Sequence, residues 1–478
     1  MTKTIVEQEL VTEKNKYCNH LFTHQKKYLF LLAIIVLSTP FIMNAAYDKP
    51  LFIGGESYYH LVSAEQKDNF NLVVFILSLI PLSIKQAGAF LLSPLLGLVS
   101  LYLFFSLAEK NKFSPQFTFF FLAFLIISPA FIFTFTTLSS YSMFIFLVVL
   151  GFLLLTQESR TPQYFSLLPF VAATFFDTFS TFLLLCLIVF YVQNIKNHQK
   201  KQDSFMKLLM GTVIFFIFIN GFILHLPFII GPFYIEQALH DLISDLGRGL
   251  SGISFFSVLL GFIGLIVALK KKRIYPAYLL LAIIIPFYIY RPEILFFLII
   301  LSTVFTTIGF IKIFEEKWRL PSLKKFTFLL LLLGIVFSTL AYLDRIPQSS
   351  PTVTETAALT WMKENIPKNE IVFSFPENSY YILYLSEHKP FYALNDQDNE
   401  AQKANDSIGI SSALYIEDLF PLLEQHNISL IYITKDMKSR LPEKQGLLFL
   451  LKNEKFKLIY FNQEVEVWRF KKDDSYSS

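Results

Sequence analysis

The sequence predicts an α-helical polytopic membrane protein of about eleven transmembrane helices, followed by a C-terminal α/β domain on the extracytoplasmic side. Three observations carry that expectation. The 478 residues are 54% hydrophobic, include 55 Phe, are only 16% charged and have a mean hydropathy of +0.51, more apolar surface than one soluble core can bury. Apolar runs of spanning length recur along the chain, separated by short basic loops. Beyond Leu343 the composition turns to a mixed, soluble pattern that lasts to Ser478.

Residues 1–27 read as a cytoplasmic tail, too long and too mixed in charge for a simple secretory signal, and the first apolar run has no small-residue cleavage site, so it is a retained span. Clear spans are Tyr28–Ala46, Gly88–Leu107, Phe117–Thr136, Ser139–Thr156, Met206–Leu224, Ile253–Leu269, Tyr275–Tyr290, Ile294–Ile313 and Phe326–Leu343. Two runs are ambiguous. Phe70–Ile84 is short and holds Pro81, fitting either a short span or an interfacial helix. Tyr164–Val192 would measure about 44 Å as one helix, long for one upright span and short for two.

The distribution of basic residues arbitrates. If Phe70–Ile84 spans and Tyr164–Val192 crosses once, Lys110, Lys112 and Arg160 face outward. If the first lies on the outer surface and the second bends around Asp177, those residues join Lys26, Lys27, Lys196, Lys200, Lys201, the KKKR run at 270–273 and Lys324 inside. Only Lys49, Lys67, Lys85, Arg248 and Arg291 are then left outside in the membrane part. The second arrangement is preferred. Both put the N-terminus inside and the C-terminus outside, as for a multi-pass protein of the plasma membrane.

The division is thus a tail (1–27), a transmembrane domain (28–343) with an outer loop at 47–87, and an extracytoplasmic α/β domain (344–478). In the last, "TETAALTWMKENIP" predicts an amphipathic helix stopped by Pro367, "EIVFSF" a strand, "YIEDLFPLLEQHN" a helix and "ISLIYIT" a buried strand, while "FKLIYFNQEVEVWRF" predicts two strands and a turn.

Several function classes drop out. The net charge of +4 is sorted by side of the membrane and does not indicate nucleic-acid binding. Cys18 and Cys186 have no spacing for a metal or disulfide framework. The spans carry almost no charge, which argues against an ion-coupled transporter; only the Asp177 bend approaches such a path.

The chemistry gathers in the predicted outer loops. The first contributes Asp48, Glu56 and His60 in and near "GGESYYHLVSAEQ"; the bend contributes Asp177 and Thr178. A later loop holds His225, Glu236, His240, Asp241, Asp245 and Arg248, and "YRPE" supplies Arg291 and Glu293. Each has a plain structural reading as well. Glu56 and His60 fit the polar face of an interfacial helix, Asp177 a helix N-cap, Arg291 a snorkelling helix end, and Glu236 a solvated helix face.

"GGESYYHL" resembles the first outer loop of GT-C superfamily membrane glycosyltransferases, above all oligosaccharyltransferase catalytic subunits and their archaeal relatives, in which an acid and an aromatic pair open a surface helix. "SPAFIFTFTTLSSYSMFIFLVVLGFLLL" (128–155) is similar to the family's paired helices flanking a short outer loop. "RPEILFFLIILSTVFTTIGF" is similar to a late helix begun by arginine, and "ALTWMKENIPKNEIVFSF" resembles the outer domain of archaeal members.

The resemblance implies sugar transfer from a polyprenyl phosphate or pyrophosphate carrier to a glycan, lipid or protein acceptor. A loop acid, sometimes with Mg2+ or Mn2+, orients or deprotonates the acceptor while cations meet the departing phosphate. It places Glu56 at the acid, with Asp177 as a further metal ligand, and Arg291 and Arg248 at the phosphate. Asp48, His60 and Glu236 are further candidates.

Three departures stand out. Glu56 replaces the family's usual Asp, "TFTTLSSYS" has no acid in the second outer loop, and Trp361 stands alone where a tryptophan-rich acceptor signature would be. These point away from asparagine-linked protein glycosylation. They keep open a degenerate GT-C scaffold that binds lipid-linked glycans or assists envelope polymer assembly, and a lipid-linked sugar transporter.

Overall fold

The structure, a computed structural model, describes residues 20–66, 72–157, 159–176, 184–189, 203–219, 242–243, 252–270, 275–290, 294–316, 318–393, 400–442 and 445–471. The chain divides into two compact units. One comprises Met1–Met43 and Phe70–Ile346; the other comprises Asn44–Asn69 and Pro347–Ser478.

The first unit is helical. Gln25–Ala46, Ile84–Lys110, Leu295–Glu315 and the helix Pro321–Arg345 are long and apolar enough to cross a bilayer, which makes this a membrane protein. Ser140–Leu155, Phe255–Ala268 and Tyr275–Tyr290 are shorter apolar helices at expected spans. Expected spans at 164–192 and 206–224 lie partly outside the described residues.

The expected single span at 117–136 is instead a bent pair, Pro115–Ile126 and Pro129–Thr136, at 62°. Proline has no N–H for the ladder and its ring crowds the preceding turn, so the helix stops and restarts. Ser128 caps the restart by accepting from Phe131 N at 3.3 Å. A short connection, 137–139, then leads into Ser140–Leu155, where Ser139 is the capping residue, accepting from Tyr141 N at 3.1 Å.

The two ambiguous runs are each broken. Residues 72–79 form a helix of about 12 Å, too short to cross alone, and the end of that run joins Leu82–Lys110 after Pro81. In the other, Arg160–Phe165 and Leu167–Thr174 are separate helices.

Helices Phe255–Ala268 and Leu295–Glu315 touch through their backbones. A Cβ on Gly264 would stand 1.8 Å from the Phe305 carbonyl oxygen, and one on Gly309 2.1 Å from that of Leu260. Only glycine permits that approach. Thr306 Oγ1 crosses the same seam, donating to the Ser257 carbonyl at 2.8 Å.

The second unit is built on a five-stranded sheet of β1 (Ile371–Phe373), β2 (Lys389–Pro390), β3 (Ile428–Thr434), β4 (Phe456–Phe461) and β5 (Val465–Phe470), ordered β2-β1-β3-β5-β4. β1 pairs in parallel with β2 and β3, whereas β5 runs antiparallel to β3 and β4. The expected β4–β5 turn is set by Asn462, whose Oδ1 accepts from Glu464 N at 3.1 Å and Val465 N at 2.7 Å. The helix expected before Pro367 is Val353–Asn365, opened by a reciprocal capping box between Thr352 and Glu355.

β3 is buried along nearly its whole length because both faces are covered. Its alternate side chains feed two cores. Ile431 and Ile433 join Phe373 and Phe470 on one face, backed by Leu419 and Leu423 of helix Ile416–Gln425. Leu430 and Tyr432 join Val372, Val467, Leu359, Met362 and Tyr381 on the other, and Tyr58, far away in sequence, belongs to that second core.

Candidate active site

Residues 44–66 are held by the same unit as the sheet. The entry is a turn in which Asp48 takes a left-handed backbone (φ 53°), tolerated by Asp because its short side chain bonds locally. Asp48 is exposed there. Lys49 Nζ donates to the carbonyls of Pro347 and Ser350, and Asn44 Nδ2 donates to Ser350 Oγ at 3.4 Å. Burial lowers the pKa of Lys49, an effect the carboxylates of Glu355 and Glu464 oppose.

Gly54 then turns the chain with φ 74°, and Gly55–Gln66 forms a helix with Glu56 in its first turn, where the N-terminal dipole favours an anion. Ser57 Oγ donates to the Ile53 carbonyl at 2.6 Å. Tyr58 is 1% exposed and fills an aromatic socket: its ring lies edge-on to Tyr381 (5.1 Å between centroids) and Tyr384 (5.3 Å). Its hydroxyl donates to the Phe52 carbonyl at 3.3 Å, and burial pushes its pKa up, so it stays neutral. Tyr59 packs on Tyr380 at 5.2 Å, and a Cβ on Gly55 would meet the Tyr380 ring at 3.2 Å.

With Tyr58 inserted, the helix presents Glu56 and His60 one turn apart. His60 Nε2 lies 3.5 Å from Glu56 Oε1; the imidazole is 2% exposed and the carboxylate side chain 36%. The arrangement is a partly exposed carboxylate held beside a buried imidazole. That suits a proton acceptor or a ligand anchor.

Among the sequence-predicted site residues, the structure brings Glu56 and His60 together and places Asp48 on the turn before their helix. Asp177, Glu236, Arg248 and Arg291 lie outside the described residues. No group of three or more His, Cys, Asp or Glu side chains gathers among the described residues, so Glu56 and His60 are two donors without a described third for Mg2+ or Mn2+.

Sequence reasoning passed over two features. The socket of Tyr380, Tyr381 and Tyr384 was signalled only by the aromatic density of "SYYILYL". Lys85, in the first turn of Leu82–Lys110, was counted only as an outer positive charge, yet it is 6% exposed. A buried ammonium in a membrane unit is costly unless an anion meets it, which marks it as a functional candidate.

No family model matches the chain, and no curated protein matches it in sequence. Solved structures do. The Archaeoglobus fulgidus oligosaccharyltransferase tethered to an acceptor peptide containing the NVT sequon aligns at 10% identity over 87% of this chain and 70% of its own, with a TM-score of 0.59. The archaeal oligosaccharyltransferase AglB from the same organism, in complex with an inhibitory peptide and a dolichol-phosphate, aligns at 11% identity over 87% and 70%, with a TM-score of 0.56. ArnT from Cupriavidus metallidurans, in the apo state, aligns at 10% identity over 93% of this chain and 98% of its own, with a TM-score of 0.52. At such identities the likeness shows the fold, and it is the GT-C fold that "GGESYYHL" and the later segments resemble.

Proposed function

We propose that this protein is a membrane glycosyltransferase that moves a sugar from a polyprenyl-phosphate-linked donor to an extracytoplasmic acceptor, with Glu56 as the proton-handling carboxylate. The observation that carries the reading is the Glu56–His60 pair. An acid and a neighbouring imidazole are held one turn apart on a helix whose Tyr58, lying between them in sequence, is locked into a core. Such fixing suits chemistry, because a catalytic carboxylate works only when its geometry is set in advance. The GT-C fold supplies the reaction class, and the dolichol-phosphate in the AglB complex is the kind of lipid carrier the reading requires.

In this reaction the acceptor hydroxyl oxygen attacks the anomeric carbon with inversion and its proton passes to Glu56. The bond from the anomeric carbon to the phosphate oxygen breaks, and the electron pair leaves with the polyprenyl phosphate. Arg248 and Arg291 are the cations assigned to that phosphate, each offering a planar fork. Membrane lipid surrounds about eleven crossings, with the N-terminus inside and the sheet-bearing unit outside, in the plasma membrane.

A second reading has its own observation. The connection 137–139, between the paired helices, contains no acid. A GT-C scaffold that binds lipid-linked glycans without transferring sugar would not need one.

The test is turnover of a radiolabelled polyprenyl-phosphate sugar pool by purified protein, with and without Mg2+ or Mn2+, beside Glu56→Gln. Transfer that falls about a hundredfold or more in the variant supports the reading. Equal turnover removes Glu56 from the chemistry, and binding without transfer by wild type favours the second reading.

A further inference from the structure

The break between Pro115–Ile126 and Pro129–Thr136 interrupts a helical ladder inside the membrane unit, where a freed polar group must find another partner. Much of that need is met by side chains. Ser128 Oγ donates to the Leu125 carbonyl at 2.7 Å, and Thr339 Oγ1, from helix Pro321–Arg345, donates to the Ile127 carbonyl at 2.9 Å. Beside the break is a cavity of about 10 Å³. Its polar lining consists of hydroxyls from three places in the chain: Ser128 at the break, Ser254 and Ser257 at the start of Phe255–Ala268, and Ser302, Thr303 and Thr306 on Leu295–Glu315.

One of these hydroxyls stands apart. Ser254 occupies the N-cap position of Phe255–Ala268, yet its side chain makes no capping hydrogen bond. It is 5% exposed, and its Oγ has no hydrogen-bond partner among the described residues. A buried hydroxyl left that way is destabilising unless something supplies the missing bond. Thr306 and Ser128 are in the complementary condition: their hydroxyl protons are already given to carbonyls at 2.7–2.9 Å, so toward a further partner each oxygen can only accept, Ser128 Oγ beyond the bond it already takes from Phe131 N.

We propose that this cavity is a binding site for one structural water, which accepts from Ser254 Oγ and donates to hydroxyl oxygens of the lining. The volume matches one water with some freedom of position, and a polar site with two or more partners meets what a buried water needs. The chemistry selects water over a monovalent cation, because the lining contains no carboxylate among the described residues and its hydroxyls are neutral dipoles. The water completes the hydrogen bonding of the helix break and joins the bent pair to Phe255–Ala268 and Leu295–Glu315. It does not depend on the glycosyltransferase reading.

The test is an experimental structure of the full chain in lipid nanodiscs, at a resolution that shows ordered water, solved in sodium buffer and again in rubidium buffer. The expected result is a single peak about 2.7–3.2 Å from Ser254 Oγ, equal in both buffers. In Ser254→Ala, with Thr306→Val as a second variant, the peak is lost or displaced while the bend persists. A peak that strengthens in rubidium is a cation site and overturns the proposal. So does a cavity without density, or a Ser254 hydroxyl bonded to a protein carbonyl.

Discussion

Tyr58 and Tyr381 meet edge to face with 5.1 Å between ring centroids, and this contact ties the helix that carries Glu56 to the sheet-bearing unit. Tyr381 is itself fixed, donating its hydroxyl to the Ser349 carbonyl at 2.8 Å. Truncating Tyr58 to Ala is expected to cost about 3 kcal/mol or more, as for other buried aromatics. Tyr58→Phe, which loses one long hydrogen bond, should cost about 1 kcal/mol or less. Hydrogen exchange of the full chain checks this: protection across 55–66 falls in Tyr58→Ala and is largely kept in Tyr58→Phe.

Gly264 and Gly309 set a second expectation. An alanine at either drives a methyl group into a facing backbone carbonyl, so each substitution should cost at least the about 1–3 kcal/mol of an overpacked core. Gly211→Ala is the control, because its Cβ would have nothing within 4 Å. Thermal melts in one detergent should separate the two seam variants from the control.

Acid sensitivity of the sheet-bearing unit follows from Glu387. Ion pairs with Lys363 at 2.6 Å and with Lys368 hold its pKa down to about 2, against an ordinary 4.5. A depressed carboxylate adds stability that is complete above the unfolded value and is lost as pH falls from about 4.5 towards about 2. Glu355 works in the opposite sense. Its pKa is raised, chiefly by burial, so its contribution declines as pH climbs from its unfolded value through the raised folded one. Because the Glu387 pairs are partly exposed, the effect is modest and screened by salt. Stability against pH for Glu387→Gln should be flatter than wild type below about pH 4.5, most visibly at low ionic strength.

Lys85, buried within the membrane unit, gives a lipid-binding prediction of its own. If its ammonium meets the donor phosphate, Lys85→Met should weaken polyprenyl-phosphate binding by about tenfold to a hundredfold, the worth of a hydrogen bond to a charged group. Lys85→Arg should restore part of that loss. Equal binding by wild type and Lys85→Met in a lipid-binding titration removes it from the site.

The sequence made much of this architecture readable, for identifiable reasons. Long apolar runs have few alternatives to membrane helices, and "ISLIYIT", with apolar residues at both parities, fits a strand covered on both faces. The pairing of Glu56 with His60 was visible as a spacing of four, one helical turn. The break at 127–128 was visible as Pro129 but was read as one span, since hydropathy averages across a bend. The socket around Tyr58 was out of reach: a tyrosine beside a membrane span looks like a headgroup anchor until folding shows that Tyr381 and Tyr384, over 300 residues later, close on it while Tyr380 packs on neighbouring Tyr59. Lys85 shows the same limit, because burial of a charge is a property of neighbours far away in sequence.

The membership of residues 44–69 in the sheet-bearing unit has a practical corollary for grafting experiments. A chimaera that exchanges only the C-terminal segment with a relative would strand Tyr58 opposite a foreign surface and leave Lys49 without the carbonyls of Pro347 and Ser350. Productive exchange has to cut the polypeptide at three points, near 43/44, 69/70 and 346/347, and transplant both pieces as a matched set.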